Sequence, residues 1–246
     1  MINKKIEFFS TIPGVEKIMP IVSSSQITYD WKQVEAQRYK EALTRNKDPS
    51  LSQKSLLKCP GISSVTSLGW VLRTWQDVCI ETNGDGSSFK WETPINQLKL
   101  VGYDYINPHV NLLYESKKES WPVNTLTNII KFDTGWKVYI PKNHTLLQLP
   151  VQHGDDNRLT AISGSYSYDY RIAELSVPVY WHALNSKELI KAGTPIAHLI
   201  LIPDHQFKAV SSVFKNHKIF EVYDMLFNSV FNIDYKNVKE KLKKLF

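Results

Sequence analysis

Residues 128–203 decide the fold, and they contain the phrases TGWKVYIP (134–141), SGSYSYDYR (163–171) and IKAGTPIAHLI (190–200). Apolar and polar side chains alternate over residues 136–140 and 172–180, which is the pattern of half-buried β-strands. Turn-forming Gly, Pro, Asn or Asp residues bound these runs. Because the strands are short and closely spaced, they favour a closed β-barrel or jelly roll over an alternating βαβ fold.

The region before this stretch has the pattern of a β-hairpin. Val78 and Ile80 alternate with their neighbours, an Asn-Gly turn signal follows at 83–84, and Phe89 resumes the alternation. Asn-Gly between two alternating runs is a strong hairpin signal. The sequence therefore predicts that strands continue well before residue 128.

Helical patterns lie toward both ends of the chain. Asp30 is a predicted N-cap, since Trp31 and Val34 begin a pattern of helical spacing, and Val210 and Val213 begin another. We therefore predict a mainly β protein, a distorted barrel or jelly roll with a peripheral N-terminal helix and C-terminal helices. Its predicted parts are an N-terminal strand and helix appendage (1–50), a β-barrel or jelly-roll core (51–205) and a C-terminal helical extension (206–246).

The composition is that of a globular protein with a sizeable core. The chain has 246 residues, 42% of them hydrophobic and 12% aromatic, which suits pleated sheets and interfaces. The net charge of +6 comes largely from lysines near the two ends. A solvated helix face explains them, with contact to nucleic acid or an acidic partner as the alternative. Since no nucleic-acid motif is present, we expect no nucleic-acid partner.

The cysteines and the hydropathy favour a reducing compartment and no membrane-spanning segment. Cys59 and Cys79 form no CxxC pair, and no signal-peptide pattern precedes the first charged residues, so we expect a reducing compartment. No apolar run reaches the roughly twenty residues that cross a bilayer. We expect a soluble protein of a cell interior or a virion, with no membrane partner.

The segment 81–92 matches the spacing of a calcium loop. Glu81, Asn83, Asp85, Gly86 and Glu92 fall at its first, third, fifth, sixth and twelfth positions. A calcium loop of this kind needs a helix on each side, whereas the flanking residues have strand patterns. A metal-free hairpin turn is therefore the preferred interpretation, with calcium as the alternative.

The histidines suggest a second metal hypothesis. His153 and Asp155 come nearest to the histidine-carboxylate pair of a jelly-roll iron or zinc site, and His182 or His198 is the candidate third ligand. Separate structural or surface histidines are the alternative, and we expect no bound cofactor. The sequence contains no GxSxG elbow and no cysteine with an evident base, so nucleophilic catalysis is not expected.

The three phrases of residues 128–203 resemble the dUTPase and dCTP deaminase family, in the order which that family uses. The resemblance covers about a third of the chain and implies a distorted β-barrel that trimerises. In its central phrase, Gly164 and Tyr170 match, but Ser167 stands where the family has its water-activating Asp. A serine hydroxyl without a partnered base keeps its proton near neutral pH. The phrase is also one residue longer than usual before Glu174, which suggests a bulge in the barrel wall.

The phosphate-binding parts of that family have no counterpart here. Pro150 is followed by Val151 and Gln152 in place of Arg and Ser, and the glycine-rich arm has no match after Pro203. His198 replaces a Gln in the last phrase. The residues of turns and packing are therefore retained, while those of the chemistry are not.

A longer series of phrases is similar to an uncharacterised family encoded by tailed bacteriophages of marine bacteria. It runs CPG (59–61), GW (69–70), DVCIE (77–81), NGDG (83–86), TGW (134–136) and GTPIAHL (193–199). This resemblance implies a phage origin, and with it the cytoplasm of an infected bacterium or a virion as the location.

Two functional hypotheses follow. The first is a non-catalytic phage β-barrel that binds a phage or host protein or assembles as a homo-oligomer, with a trimer implied by the barrel family. Its candidate binding residues are Trp136, Tyr166, Tyr168, Trp181 and His198, for which packing inside the barrel is the alternative. The second is an enzyme, either a diverged nucleotide hydrolase or deaminase using Asp169 and Tyr170, or a cupin-like metal enzyme using His153 and Asp155.

Overall fold

The computed structural model describes residues 5–46, 55–94, 105–109, 122–168 and 172–204. Within these ranges the protein is mainly β and its sheets are antiparallel, so the predicted fold class is confirmed. The predicted C-terminal helices (206–246) lie outside the described residues, and so do Asp169 and Tyr170. No helix of the described ranges is long and apolar enough to cross a membrane.

The described elements are thirteen strands, three α-helices and two 3₁₀ helices, Ser24–Gln26 and Leu56–Lys58. The strands are β1 (Glu7–Ser10), β2 (Val22–Ser23), β3 (Trp70–Arg73), β4 (Val78–Thr82), β5 (Phe89–Glu92), β6 (Ile106–Pro108), β7 (Ile130–Tyr139), β8 (His144–Leu149), β9 (Leu159–Ala161), β10 (Gly164–Ser167), β11 (Ile172–Trp181), β12 (Lys187–Ile190) and β13 (Pro195–Pro203). The helices are α1 (Val15–Ile18), α2 (Asp30–Asn46) and α3 (Pro60–Ser67).

The strands form three sheets. The first has the order β1-β7-β11-β9 with β6 also paired to β7, the second β10-β8-β13-β3-β2, and the third β12-β4-β5. Long strands β7 and β11 alternate buried and less buried side chains, as their sequence patterns predict. Their inward residues, including Phe132, Leu175 and Trp181, are fully buried and join one core with Leu72 and Ile80.

The N-terminal segment contributes strands to two sheets. β1 pairs with β7 and β2 pairs with β3, and the Phe8 and Trp70 rings meet edge to face at 5.4 Å. This contact joins the first sheet to the second. The predicted helix that follows is present as α2, while the predicted boundaries at residues 50 and 205 stay predictions.

The predicted hairpin at 78–91 is β4 and β5, which pair from Cys79 opposite Glu92 to Thr82 opposite Phe89. Between them, the Asp85 carboxylate accepts the Ser87 N–H at 2.8 Å. Gly84 and Gly86 both have positive φ, of 88° and 76°. The flanks of this loop are thus strands, as the preferred interpretation of 81–92 requires.

A β-bulge interrupts the pairing of β7 with β11. Trp136 lies opposite Leu175 and Asp133 opposite Ser176, which leaves two residues of β7, Thr134 and Gly135, without partners in the ladder. The Thr134 hydroxyl donates to the Leu175 carbonyl, and the Gly135 carbonyl accepts the Thr11 N–H at 2.7 Å. The prediction placed the bulge in β11 before Glu174. The extra residues lie instead in the TGW phrase of β7, where Gly135 adopts a φ of 70°.

Candidate functional site

A cavity of about 570 Å³ lies where the segment before α2 meets the loop between β8 and β9. We call it the Tyr29 cavity. Its lining residues are Thr28, Tyr29, Pro150, Val151, Gly154, Asp155, Asp156, Asn157, Arg158, Leu159, Thr160, Ala161, His182, Thr194, Pro195 and Ile196. Polar groups from four separate segments therefore converge on one space.

Asp155 fixes the start of α2 beside this cavity. Its carboxylate accepts the backbone N–H groups of Asp30 and Trp31 at 2.7 and 3.3 Å, and Trp31 Nε1 donates to the His153 carbonyl at 2.7 Å. A carboxylate at a helix N-terminus satisfies free N–H groups and interacts favourably with the helix dipole. Asp30, the predicted N-cap, is instead the first residue of the helix, and the cap comes from 125 residues further along the chain.

This arrangement bears on the predicted metal ligands. His153 has a positive φ of 53° and offers its carbonyl to Trp31, while both Asp155 oxygens are held by α2. Across the described residues, no three His, Cys, Asp or Glu side chains gather as a metal site would require. His153 and Asp155 instead hold the N-terminal end of α2 through these hydrogen bonds.

Arg158 forms the most strongly charged part of the cavity wall. Its Nε and Nη2 donate to the two Asp156 oxygens at 3.0 and 2.7 Å, and its Nη1 donates to Glu188 at 3.1 Å and to the Leu189 carbonyl at 2.9 Å. Burial alone would raise the pKa of Asp156, but the hydrogen bonds and charge of Arg158 lower it. The hydrogen bond to Asp156 in turn raises the pKa of Arg158. Four hydrogen bonds, two of them to Asp156, therefore engage the guanidinium within the protein.

His182 is held between two threonine hydroxyls. Its Nε2 lies 2.9 Å from Thr160 Oγ1, its Nδ1 lies 3.3 Å from Thr125 Oγ1, and its backbone N–H donates to the Arg158 carbonyl. Burial lowers the pKa of this imidazole. His182 is accordingly neutral at pH 7, and one hydroxyl accepts from it while the other donates to it.

Tyr29 was not among the sequence-derived candidates. Its side chain is only 3% exposed, and its hydroxyl makes no hydrogen bond within the described structure. Burial, and then the charge of Asp155, raise the pKa of the phenol, so it keeps its proton. A single tyrosine before a predicted helix carries no sequence signal of such a position.

Most of the predicted binding residues pack inside the protein. Trp181 is fully buried and its Nε1 donates to the Ala183 carbonyl, and Trp136 is 5% exposed. The Tyr166 hydroxyl lies 3.0 Å from Gln148 Oε1 and 3.2 Å from the Ser176 carbonyl. Burial raises the pKa of Tyr166 to about 12. The positions of Trp136 and Trp181 match the packing alternative, whereas Tyr166 and Tyr168 are partly buried.

His198 and Ser167 lie away from the Tyr29 cavity lining. His198 is 2% exposed, and its Nε2 lies 2.8 Å from Ser24 Oγ and also contacts the Leu68 carbonyl, so it ties β13 to two earlier segments. Ser167 ends β10 opposite Thr145, whose hydroxyl donates to Asp204 at 2.6 Å. Of the described candidates, the structure thus brings Asp155 and His182 to the Tyr29 cavity, and it adds Tyr29, Arg158 and Thr160 to them.

The chain was compared with protein-family models, with curated proteins and with solved structures. No protein-family model matches it, and no curated protein matches it. One similar solved structure is a dUTPase of Staphylococcus bacteriophage 80alpha, which is 14% identical with a TM-score of 0.31. The match covers 62% of this chain and 86% of that one. Another is a dUTPase from phage phi11 of S. aureus, which is 12% identical with a TM-score of 0.31. This match covers 61% of this chain and 85% of that one. At these TM-scores we base no argument on the likeness.

Proposed function

We propose that this chain is a phage-encoded, non-catalytic β-barrel protein that acts by binding and by assembly into a homo-oligomer. It would do so in the cytoplasm of an infected bacterium or in the virion, with a phage or host protein as its partner. One observation carries the proposal. The carboxylates, the guanidinium and the imidazole in the wall of the Tyr29 cavity already serve the fold through their hydrogen bonds within the chain.

The charged side chains and the histidine of the cavity wall are held by hydrogen bonds to other parts of the chain. Asp155 caps α2, Asp156 holds Arg158, and His182 bonds two threonines. A general base must be free to take a proton from a substrate, and a nucleophile needs such a base beside it. Groups tied in this way support recognition by shape and hydrogen bonding more than acid-base chemistry.

The family resemblance supports the same proposal from a second position. Ser167, which replaces the expected Asp, ends β10 beside Thr145, and the Thr145 hydroxyl is already bonded to Asp204. A nucleotide hydrolase would therefore have to use Asp169, the alternative identified from the sequence.

Assembly is supported by an exposed apolar pair on the first sheet. Tyr139 of β7 and Ile172 of β11 are cross-strand partners and are 40% and 53% exposed. Apolar side chains that share one exposed site are typical of surfaces that contact another chain. A second copy of the chain, in the trimer that the barrel family implies, is the occupant we propose.

The test separates binding from catalysis. Purified protein is incubated with dUTP or dCTP and Mg²⁺, and the release of pyrophosphate and ammonia is measured. The mass of the protein in solution is measured separately by light scattering. We expect an oligomer that releases neither product, next to an authentic dUTPase as positive control. Product that disappears in Asp169→Asn would establish the enzyme alternative and refute the proposal. A monomer would refute its assembly part.

A further inference from the structure

We infer that the Tyr29 cavity binds an uncharged polyhydroxyl ligand, of the chemical class to which monosaccharides belong. The inference rests on the proposed function, because it takes the cavity as a place of binding. Its volume of about 570 Å³ suits a small molecule. Small-molecule sites are commonly about 300–1,000 Å³ and orient their ligand through a few convergent polar groups.

The charges of the wall argue against an anionic ligand. Among the described residues, the charged lining side chains are Asp155, Asp156 and Arg158, which together carry one net negative charge. Arg158 is neutralised by Asp156 at 2.7 Å and by Glu188 at 3.1 Å. A phosphate or carboxylate would enter a site in which Arg158, the lining cation among the described residues, is already paired with carboxylates, and it would lose part of its hydration there.

The same contacts argue against a cationic ligand. Both oxygens of Asp155 accept N–H groups of α2, and both oxygens of Asp156 accept from Arg158. A carboxylate that is already engaged by a cation or by N–H donors attracts a further ammonium group less strongly than a free carboxylate does. Asp156 is paired with Arg158, and Asp155 is engaged by the first N–H groups of α2.

Tyr29 supplies the positive evidence for a ligand. It is a lining residue that is only 3% exposed, yet its hydroxyl has no partner in the described structure. A hydroxyl that lines a cavity and forms no hydrogen bond within the protein can donate one to a ligand in place of water. Because burial and Asp155 keep the phenol protonated, it is available as a donor.

The remaining lining groups match the same ligand class. The Thr194 hydroxyl donates to the Lys191 carbonyl at 2.7 Å and the Thr160 hydroxyl is bonded to His182, and each oxygen can still accept a hydrogen bond from a sugar hydroxyl. Val151, Leu159 and Ile196 add apolar surface that suits the C–H face of a sugar ring. Neutral His182, fixed between two threonines, keeps the wall free of a further positive charge.

The experiment measures binding to the full chain. Glucose, galactose and N-acetylglucosamine are titrated at millimolar concentration by calorimetry and by saturation-transfer NMR, with dUTP as an anionic and putrescine as a cationic probe. We expect at least one sugar to bind and neither charged probe to do so. Tyr29→Phe removes only the hydroxyl and should weaken sugar binding by about five- to tenfold, the effect of one hydrogen bond.

Tyr39→Phe is the matched control, since Tyr39 lies in α2 and does not line the cavity. It should leave sugar affinity unchanged. The inference is overturned if none of the three sugars binds, if a charged probe binds in their place, or if Tyr29→Phe binds as the wild type does. The proposed function is tested by a different measurement, because release of pyrophosphate or ammonia would refute it whether or not a sugar binds.

Discussion

At the residue scale, the hydrogen bonds of individual buried side chains decide which of them stabilise the fold. Gln148 and Gln76 are 2% and 5% exposed. The Gln148 amide contacts the Tyr166 hydroxyl and the Ile162 carbonyl. Neither amide atom of Gln76 has a partner in the described structure. Two glutamines of similar burial should therefore respond in opposite ways to an apolar replacement.

We expect Gln76→Met to raise the free energy of unfolding by about 1 kcal/mol, because it removes an unbonded buried amide while keeping the side-chain length. Gln148→Met should lower it by about 1–3 kcal/mol, because it leaves the Tyr166 hydroxyl with one partner fewer. Urea unfolding followed by circular dichroism measures both. A loss of stability in Gln76→Met comparable to that of Gln148→Met would show that Gln76 is bonded in solution.

Tyr166 is expected to make the free energy of unfolding depend on pH above 10. Burial raises its pKa from 10.0 to about 12 in the folded protein. As the pH rises above 10, the phenol ionises in the unfolded chain but stays neutral in the folded one, so its stabilising contribution is present below pH 10 and is lost as the pH rises to about 12. Between these pH values the wild type should lose about 1–3 kcal/mol more than Tyr166→Phe. Equal pH slopes in urea unfolding would contradict the burial of this phenol.

At the scale of elements, close approaches of the backbone fix how β3 meets β13. Gly69 precedes β3 with a φ of 72°, and a Cβ there would lie 2.0 Å from the Leu199 carbonyl oxygen of β13. The Gly69 carbonyl also accepts the Ser24 N–H at 3.0 Å. An alanine at this position would be strained both by its φ and by the clash.

We expect Gly69→Ala to lower the free energy of unfolding by about 2 kcal/mol or more, since the obstacle is backbone that cannot move aside. Gly61→Ala is the control, because that glycine lies in α3, where an added Cβ would meet no atom within 4 Å, and alanine favours a helix. Thermal unfolding of the two variants gives the comparison. Equal melting temperatures would show that β3 and β13 separate at Gly69 in solution.

Sequence patterns predicted individual elements better than the contacts between them. The alternation at 172–180 and the Asn-Gly signal identified β11 and the β4-β5 hairpin, because each pattern lies within one segment. The cap of α2 by Asp155 joins segments 125 residues apart, so no local pattern contains it. Tyr29 was missed for the same reason, since its burial depends on the loop that packs over it.

At the scale of the whole molecule, the exposed pair Tyr139 and Ile172 gives a surface on which assembly can be tested. The two residues are cross-strand partners near one end of the first sheet, and Ile172 is 53% exposed. A lysine there would bring a charge into a contact between copies of the chain and would cost little in an isolated chain, where it would reach water.

We expect Ile172→Lys to shift the protein toward monomer in sedimentation velocity, with at least a roughly tenfold weaker association, because one buried charge costs more than about 1.4 kcal/mol at such a contact. Its melting temperature at low concentration should stay close to that of the wild type. Val123→Lys is the matched control, because Val123 is 87% exposed and lies in the segment before β7. It should leave the mass unchanged. An Ile172→Lys protein that keeps the wild-type mass would exclude this end of the β7-β11 pair as the contact, and a lower mass in both variants would place the contact elsewhere.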